Sequence, residues 1–176
     1  GIGGIGMSAL EQYFIQQGHD VYGYDRIETE ITDKLIQIGA KVHTDERVDR
    51  IPSVCKNKAN TTVVFTPAIP QDFPQLKFFK ANEFDVFKRS QVLGELSKDL
   101  YCLAVGGTHG KTTTSSILAH LLRESGKKIT AFLGGISSNF GSNFISEGNE
   151  YMVVEADEFD RSFLTLHPDL LCITSM

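Results

Sequence analysis

Leu100-Tyr101-Cys102-Leu103-Ala104-Val105-Gly106-Gly107-Thr108-His109-Gly110-Lys111-Thr112-Thr113 is the stretch that decides the fold. Leu100 to Val105 is a short apolar run, the pattern of a strand buried on both faces. Gly106 to Gly110 interrupts it. Lys111 to Ser125 then reads as a helix, with Ile117, Leu118, Leu121 and Leu122 on one face and Gly126 as its stop. Strand, glycine-rich turn and helix in that order make a phosphate-binding loop.

The loop residues suit that chemistry. Lys111 can reach the β- and γ-phosphates of a nucleotide, and the Thr112 hydroxyl can ligate Mg²⁺. Backbone N–H groups of Gly107, Thr108, His109, Gly110, Lys111, Thr112 and Thr113 can cradle phosphate oxygens. One departure stands out: the general pattern has glycine five positions before Gly110, where this chain has Val105. A chance glycine turn with an exposed lysine is the bland alternative, and it leaves the flanking strand and helix as coincidence. His109 reads as a general base, since histidine titrates near neutrality, or as a loop side chain packed on its own turn. The second reading is preferred.

Downstream, Tyr151 to Glu155 is a second apolar run that ends on a carboxylate. A carboxylate at the C-terminal end of a strand, beside a phosphate loop, is placed to hold Mg²⁺. Thr112 and Glu155 are therefore the expected metal ligands, and Lys111 and Glu155 the expected catalytic pair. Asp157 and Asp160 are candidates for substrate or for the metal's waters, and Arg161 for a phosphate or carboxylate. With Glu158, these also read as loop charges that pair with one another.

Upstream, Gly1-Ile2-Gly3-Gly4-Ile5-Gly6 contains G-x-G-x-x-G before a helix expected from Met7 to Gln17. Such glycines let backbone N–H groups approach a diphosphate at a helix N-terminus. Asp25 ends the next strand, where an acidic residue reaches a ribose. The pattern alone is weak, and a plain tight turn with a solvated Asp25 also fits. No strand precedes Gly1, which predicts a chain that starts inside a longer one; Met176, just past a buried-type strand, predicts the same of its end.

Helix-like and strand-like segments alternate throughout. Strands are expected at Val21–Tyr24, Lys41–His43, Thr61–Thr66, Ala131–Leu133 and Leu170–Thr174, and helices at Ile31–Ile38, Gln75–Asn82 and Ser90–Ser97. This is an α/β pattern with mostly parallel sheets. Two glycine-rich strand-to-helix turns predict two units. Residues 1–98 form a Rossmann-like domain lacking its opening strand, and residues 99–176 the start of a P-loop-type ATPase domain.

The 176 residues are 41% hydrophobic and 22% charged, with a formal net charge of −5. That balance lacks the basic face nucleic acid requires. Cys55, Cys102 and Cys172 are odd in number and widely spaced, which argues against a disulfide framework or zinc site and fits a reducing cytosol. Cys102 and Cys172 lie in apolar runs and are expected to be buried. No apolar run approaches the ~20 residues that span a bilayer, so no membrane insertion is expected.

Gly107 to Thr114, G-T-H-G-K-T-T-T, resembles the ATP loop of the Mur ligases, the ATP-dependent amide-forming enzymes of peptidoglycan synthesis. Gly1 to Ser8, G-I-G-G-I-G-M-S, and Glu155 to Leu164, E-A-D-E-F-D-R-S-F-L, resemble the same family. So do Thr66-Pro67-Ala68-Ile69, Lys88-Arg89-Ser90 and Leu93-Gly94-Glu95-Leu96, and the likeness covers nearly the whole chain. The resemblance implies a first domain that binds the UDP part of the substrate through Gly1, Gly3, Gly4, Ile5, Gly6, Met7, Ser8 and Asp25. It implies ATP on Gly107 to Thr113, Mg²⁺ on Thr112 and Glu155, and a third domain for the amino acid. UDP-N-acetylmuramate and L-alanine are the implied substrates, joined through an acyl phosphate in the cytoplasm; a murein tripeptide in place of alanine is the alternative. The chain alone is expected to bind nucleotide without ligating. A nicotinamide-dependent oxidoreductase would explain the first loop but not the second. A non-catalytic nucleotide-binding module would fit the isolated chain.

Overall fold

Most strands and helices fall within a residue or two of where the apolar periodicities predict them, but the strand expected at Ala131–Leu133 runs from Ile129 to Ser137, and a strand at Ser142–Ser146 was not expected. A computed structural model describes residues 1–156 and 162–175; Asp157, Glu158, Asp160 and Arg161 lie outside the described residues. The chain divides into two units, Gly1–Arg89 and Ser90–Met176.

In the first unit, helix α1 (Ile5–Gln16) leads to β1 (Tyr22–Tyr24), α2 (Glu30–Gln37) and β2 (Lys41–His43). Strands β1 and β2 pair in parallel, with Gly23 opposite Val42. Thr29 and Thr32 form a reciprocal capping box at the start of α2, satisfying two N–H groups that a helix start otherwise leaves open. Ile2, Leu35 and Ala40 make the small core between these elements, with Ile15, Val21, Ile31 and Val42 packed on it. Three single 3₁₀ turns then lead to β3 (Thr62–Phe65), α3 (Pro74–Ala81) and β4 (Asp85–Lys88). Strands β3 and β4 pair in parallel as a second two-stranded sheet. Strand β4 was not anticipated, because D-V-F-K alternates over too few residues to give a period. A cavity of about 140 Å³ is lined by Gly1 and by residues of both β1 and β3, among them Tyr22, Tyr24, Val63 and Phe65. Glu11, on the buried side of α1, also lines it.

Glu11 is only 8% exposed, and its Oε2 has no hydrogen-bond partner among the described residues. Burial pushes its carboxyl well above the usual range, and Asp25 pushes it further up. The folded chain therefore holds this proton more tightly than the unfolded chain, whose carboxyl titrates near ~4.3. The stabilisation is complete below that value and is lost as pH rises through the folded-state pKa. Glu11→Gln should leave stability nearly unchanged near pH 4. It should raise stability increasingly above that, by about 1–3 kcal/mol once the wild-type group is ionised or left unpaired. Urea unfolding of both proteins between pH 4 and 9 measures this, and a difference that does not vary with pH would refute it.

The second unit holds α4 (Arg89–Leu96), which starts on the last residue of the first unit, then β5 (Tyr101–Gly106) and α5 (Lys111–Glu124). Strands β6 (Ile129–Ser137), β7 (Ser142–Ser146), β8 (Tyr151–Glu155) and β9 (Leu170–Ile173) follow. They form one sheet in the order β7-β6-β8-β5-β9. All its pairs are parallel except the β6–β7 hairpin. The sequence boundary near Ser97–Leu100 left α4 with the first domain, whereas its contacts tie it to the second unit. Thr165 Oγ1 donates to Ser90 O at 2.7 Å, and His167 N donates to Ser97 Oγ at 2.9 Å.

Leu103, Ala119, Ile129, Ala131, Leu133, Ile145 and Val153 form one core cluster of this unit, with Leu118 and Leu122 packed on it. The buried face of α5 therefore runs through Ser115, Leu118, Ala119 and Leu122. Ile117 and Leu121, expected on it, are exposed. Two further expectations need correction. Strand β9 is exposed along its length, and Cys172 with it, whereas Cys102 is buried. The apolar run does make a strand, but an edge position gives it only β5 as a neighbour, and burial depends on neighbours rather than on the run. No helix of the described residues is long and apolar enough to cross a membrane.

Candidate functional site

The parallel register of β5 and β8 sets Val105 opposite Glu155. The chain leaves β5 one residue later into the glycine loop, so the loop and the carboxylate come together at the C-terminal ends of adjacent strands. This is where open α/β sheets bind ligands. Gly107 has φ +122°, and a Cβ there would run into Thr174 and Ser175; Gly110, the N-cap of α5, has φ +82°. Both positions need glycine, because side chains are strained at positive φ.

Lys111, Thr112 and Ser115 project from the first turns of α5. The Lys111 ammonium donates to Gly107 O at 2.7 Å, inside the loop whose phosphates it was expected to meet. Thr112 Oγ1 donates to Glu155 Oε2 at 3.0 Å. Ser115 Oγ and Gly134 N reach the other carboxylate oxygen, Oε1, at 3.0 Å and 2.7 Å. Ser115 is fully buried and Glu155 half-buried. The β6–β8 ladder ends at Phe132, so the N–H of Gly134 turns to the carboxylate instead of to a strand.

The donor types suit magnesium: a hydroxyl and a carboxylate oxygen are hard ligands, and a hydrogen bond of 3.0 Å brings Thr112 Oγ1 and Glu155 Oε2 together. Among the described residues there is no group of three or more His, Cys, Asp or Glu side chains suited to a metal. Magnesium needs none, since it is commonly held by one or two carboxylates plus phosphate oxygens and water.

The remaining loop residues are less uniform than expected. The N–H groups of Thr108 and His109 donate to Ser175 O and Ser175 Oγ, at 3.2 Å and 3.0 Å. Thr174 Oγ1 donates to His109 O at 2.5 Å. His109 thus anchors its own turn to the end of β9 through backbone groups, while its side chain is exposed. Thr113 is exposed on the outer side of the helix start.

The first glycine loop is built around Asp25. Its Oδ2 accepts from Gly3 N at 2.7 Å, so the carboxylate expected at a ribose also shapes the loop. Gly1 and Ile2 donate through their nitrogens to Tyr24 O, at 2.6 Å and 3.0 Å. Gly4, Ile5 and Gly6 form the entry to α1, with Gly4 as N-cap. Met7 and Ser8 point inward: Met7 lines the cavity, and the buried Ser8 hydroxyl donates to Ile5 O at 2.9 Å. A Cβ at Gly6 would lie 2.6 Å from a guanidinium nitrogen of Arg89, which sets a cation beside the helix N-terminus. Arg89, Ser115 and Gly134 were not among the site residues expected from sequence. Arg89 was visible only as part of a family-like tripeptide, and nothing in the sequence marked Ser115 or Gly134.

The model of the Mur ligase family, catalytic domain, matches residues 1–101. The UDP-N-acetylmuramate–L-alanine ligase of Christiangramia forsetii is 53% identical over 177 residues, covering 100% of this chain and 39% of that protein. The ligase of the same name from Flavobacterium psychrophilum is 52% identical over 176 residues, with the same coverage. The chain spans about two fifths of the length of these curated relatives. Among solved structures, the UDP-N-acetylmuramate–alanine ligase of Thermotoga maritima superposes with a TM-score of 0.80 at 31% identity, over 99% of this chain and 40% of that one. A ligase from Neisseria meningitides, named for UDP-N-acetylmuramate and L-alanyl-γ-D-glutamyl-meso-diaminopimelate, gives a TM-score of 0.86 at 23% identity, over 99% of this chain and 58% of that one. The second likeness is one of fold alone. Matched by the family model over more than half its length, and by close relatives over all of it, this chain belongs to the Mur ligase family.

Proposed function

We propose that the full-length protein joins L-alanine to UDP-N-acetylmuramate with consumption of ATP, in the cytoplasm, as a step of peptidoglycan synthesis. The carrying observation is the meeting of Thr112 with Glu155 beside the Gly107–Thr113 loop, in a chain 53% identical to an alanine ligase throughout. A carboxylate does not condense with an amine at neutral pH without activation. In the proposed reaction the γ-phosphoryl group of ATP passes to the carboxylate of the muramate, forming an acyl phosphate and ADP. The alanine amine then attacks the acyl carbon, loses its proton, and phosphate leaves.

The residues divide this work. Gly107 to Thr113 hold the triphosphate, and Lys111 exchanges its bond to Gly107 O for the transferring group, where it offsets developing negative charge. Thr112 and Glu155 hold Mg²⁺, which supplies further charge stabilisation on the phosphates when bound. Gly1, Gly3, Gly4, Ile5 and Gly6 receive the UDP diphosphate at the start of α1, with Arg89 as a second positive group and Asp25 shaping the loop. Met7 and Ser8 serve the packing of that loop. The two units, Gly1–Arg89 and Ser90–Met176, are proposed as parts of the substrate domain and the ATPase domain. The 176-residue chain alone binds nucleotide without ligating.

Full-length protein incubated with ATP, Mg²⁺, UDP-N-acetylmuramate and equimolar L-alanine, glycine, L-serine and murein tripeptide should give the alanyl adduct as the main product by mass. Glycine and serine adducts should be minor, because one methyl or hydroxyl changes selectivity by only ~1–3 kcal/mol in a small pocket. A dominant tripeptide adduct would transfer the protein to the recycling branch of the family.

A further inference from the structure

We infer that Ser115 and the backbone of Gly134 are positioning groups that orient Glu155 for the metal. This inference rests on the reading of Thr112 and Glu155 as the magnesium ligands. The two carboxylate oxygens of Glu155 have different surroundings. Among the described residues, Oε1 accepts from Ser115 Oγ at 3.0 Å and from Gly134 N at 2.7 Å, whereas Oε2 accepts from Thr112 Oγ1 at 3.0 Å. Two donors on one oxygen fix the rotation of the carboxylate about its last bond, and the other oxygen is left facing the phosphate loop.

Ser115 has one hydroxyl proton and two acceptors within reach, Glu155 Oε1 at 3.0 Å and Thr112 O at 3.1 Å. A carboxylate is the stronger acceptor, since hydrogen bonds to an ionised group are roughly twice as strong as neutral ones. Ser115 sits one helical turn beyond Lys111 and is fully buried, so water does not compete for that proton. Gly134 contributes by lacking a side chain: a Cβ there would stand 2.5 Å from Glu155 Oε2 and 3.0 Å from its Cδ. The backbone of Gly134 is not at positive φ, so close approach to the carboxylate, rather than strain, is what requires glycine here. Partners that orient metal ligands in this way typically change metal affinity by ~10–100-fold when removed.

The test uses full-length protein and a fluorescent ATP analogue, titrated with Mg²⁺ and, separately, in EDTA. Ser115→Ala removes the hydroxyl without adding volume, and Gly134→Ala intrudes on the carboxylate while keeping the N–H. Both should raise the half-saturating Mg²⁺ concentration about tenfold or more. Nucleotide affinity in EDTA and the melting temperature should stay near wild type. Ser115→Thr, which keeps the hydroxyl, should recover most of the magnesium affinity. An unchanged magnesium midpoint in both Ser115→Ala and Gly134→Ala would overturn the inference, as would a loss of nucleotide affinity in EDTA with no shift of that midpoint. Wild-type binding that is indifferent to Mg²⁺ would instead remove the metal reading, and this inference with it.

Discussion

Full-length protein carrying Lys111→Ala is expected to fold normally and to lose ligation, with kcat down by ~10²–10³-fold or more, the size of effect seen when one preorganised charge-stabilising group is removed. The argument starts from position. Lys111 is the first residue of α5, directly after the left-handed Gly110, so its side chain turns back over the loop. Its ammonium lies 2.7 Å from Gly107 O, within the cradle where the phosphates are proposed to sit. The helix does not depend on it. Core contacts of α5 come from Leu118, Ala119 and Leu122, and alanine has the best helix propensity. Phosphate release with all substrates measures the loss, and circular dichroism checks the fold. Near-normal turnover by a folded variant would end the assignment of Gly107 to Thr113 as the ATP loop.

The second large effect is expected at Glu155. Glu155→Gln should raise the magnesium requirement by at least ~10-fold and lower the rate at ordinary magnesium concentrations, with little change in stability. Stability is spared because an amide can satisfy the same partners. Its oxygen can accept from Ser115 and Gly134, and its NH₂ can donate to the Thr112 hydroxyl, reversing the bond now made at 3.0 Å. Metal binding is not spared, because the NH₂ would then occupy the position of Oε2 with no charge and no lone pair for a cation. Asp160→Asn is the comparison. It lies five residues beyond the strand end in sequence and should change the magnesium requirement far less. Magnesium titrations of phosphate release on both variants decide it, and an unchanged requirement in Glu155→Gln would remove Glu155 from the metal site.

Local signals carried much of this in the sequence itself. The run Leu100–Val105, the glycines after it and the helix from Lys111 specify strand, loop and helix by period and by backbone freedom, properties that need no distant partner. The same holds for Glu155, because a carboxylate that closes an apolar run must surface where its strand ends. The family also lay in such local stretches, Gly1–Ser8 and Gly107–Thr114, since residues that meet phosphates at a turn are contiguous in the chain.

What depends on neighbours was decided only by the tertiary structure. The register of Val105 with Glu155 brings Glu155 to Thr112, forty-three residues away in the chain, and no periodicity encodes it. Ser115 looked like one more polar residue of a helix until packing placed it, fully buried, against that carboxylate. Cys172 and Leu170 to Ile173 read as core because the run is apolar, and they are exposed because β9 is an edge strand. Glu11 is the converse: nothing in the sequence marked this charged residue in the middle of α1, and the fold buries it. Apolar pattern and backbone preference set which segments form. Burial, register and the meeting of side chains from different strands are sums over the whole fold, and they appear only when the sheet is assembled.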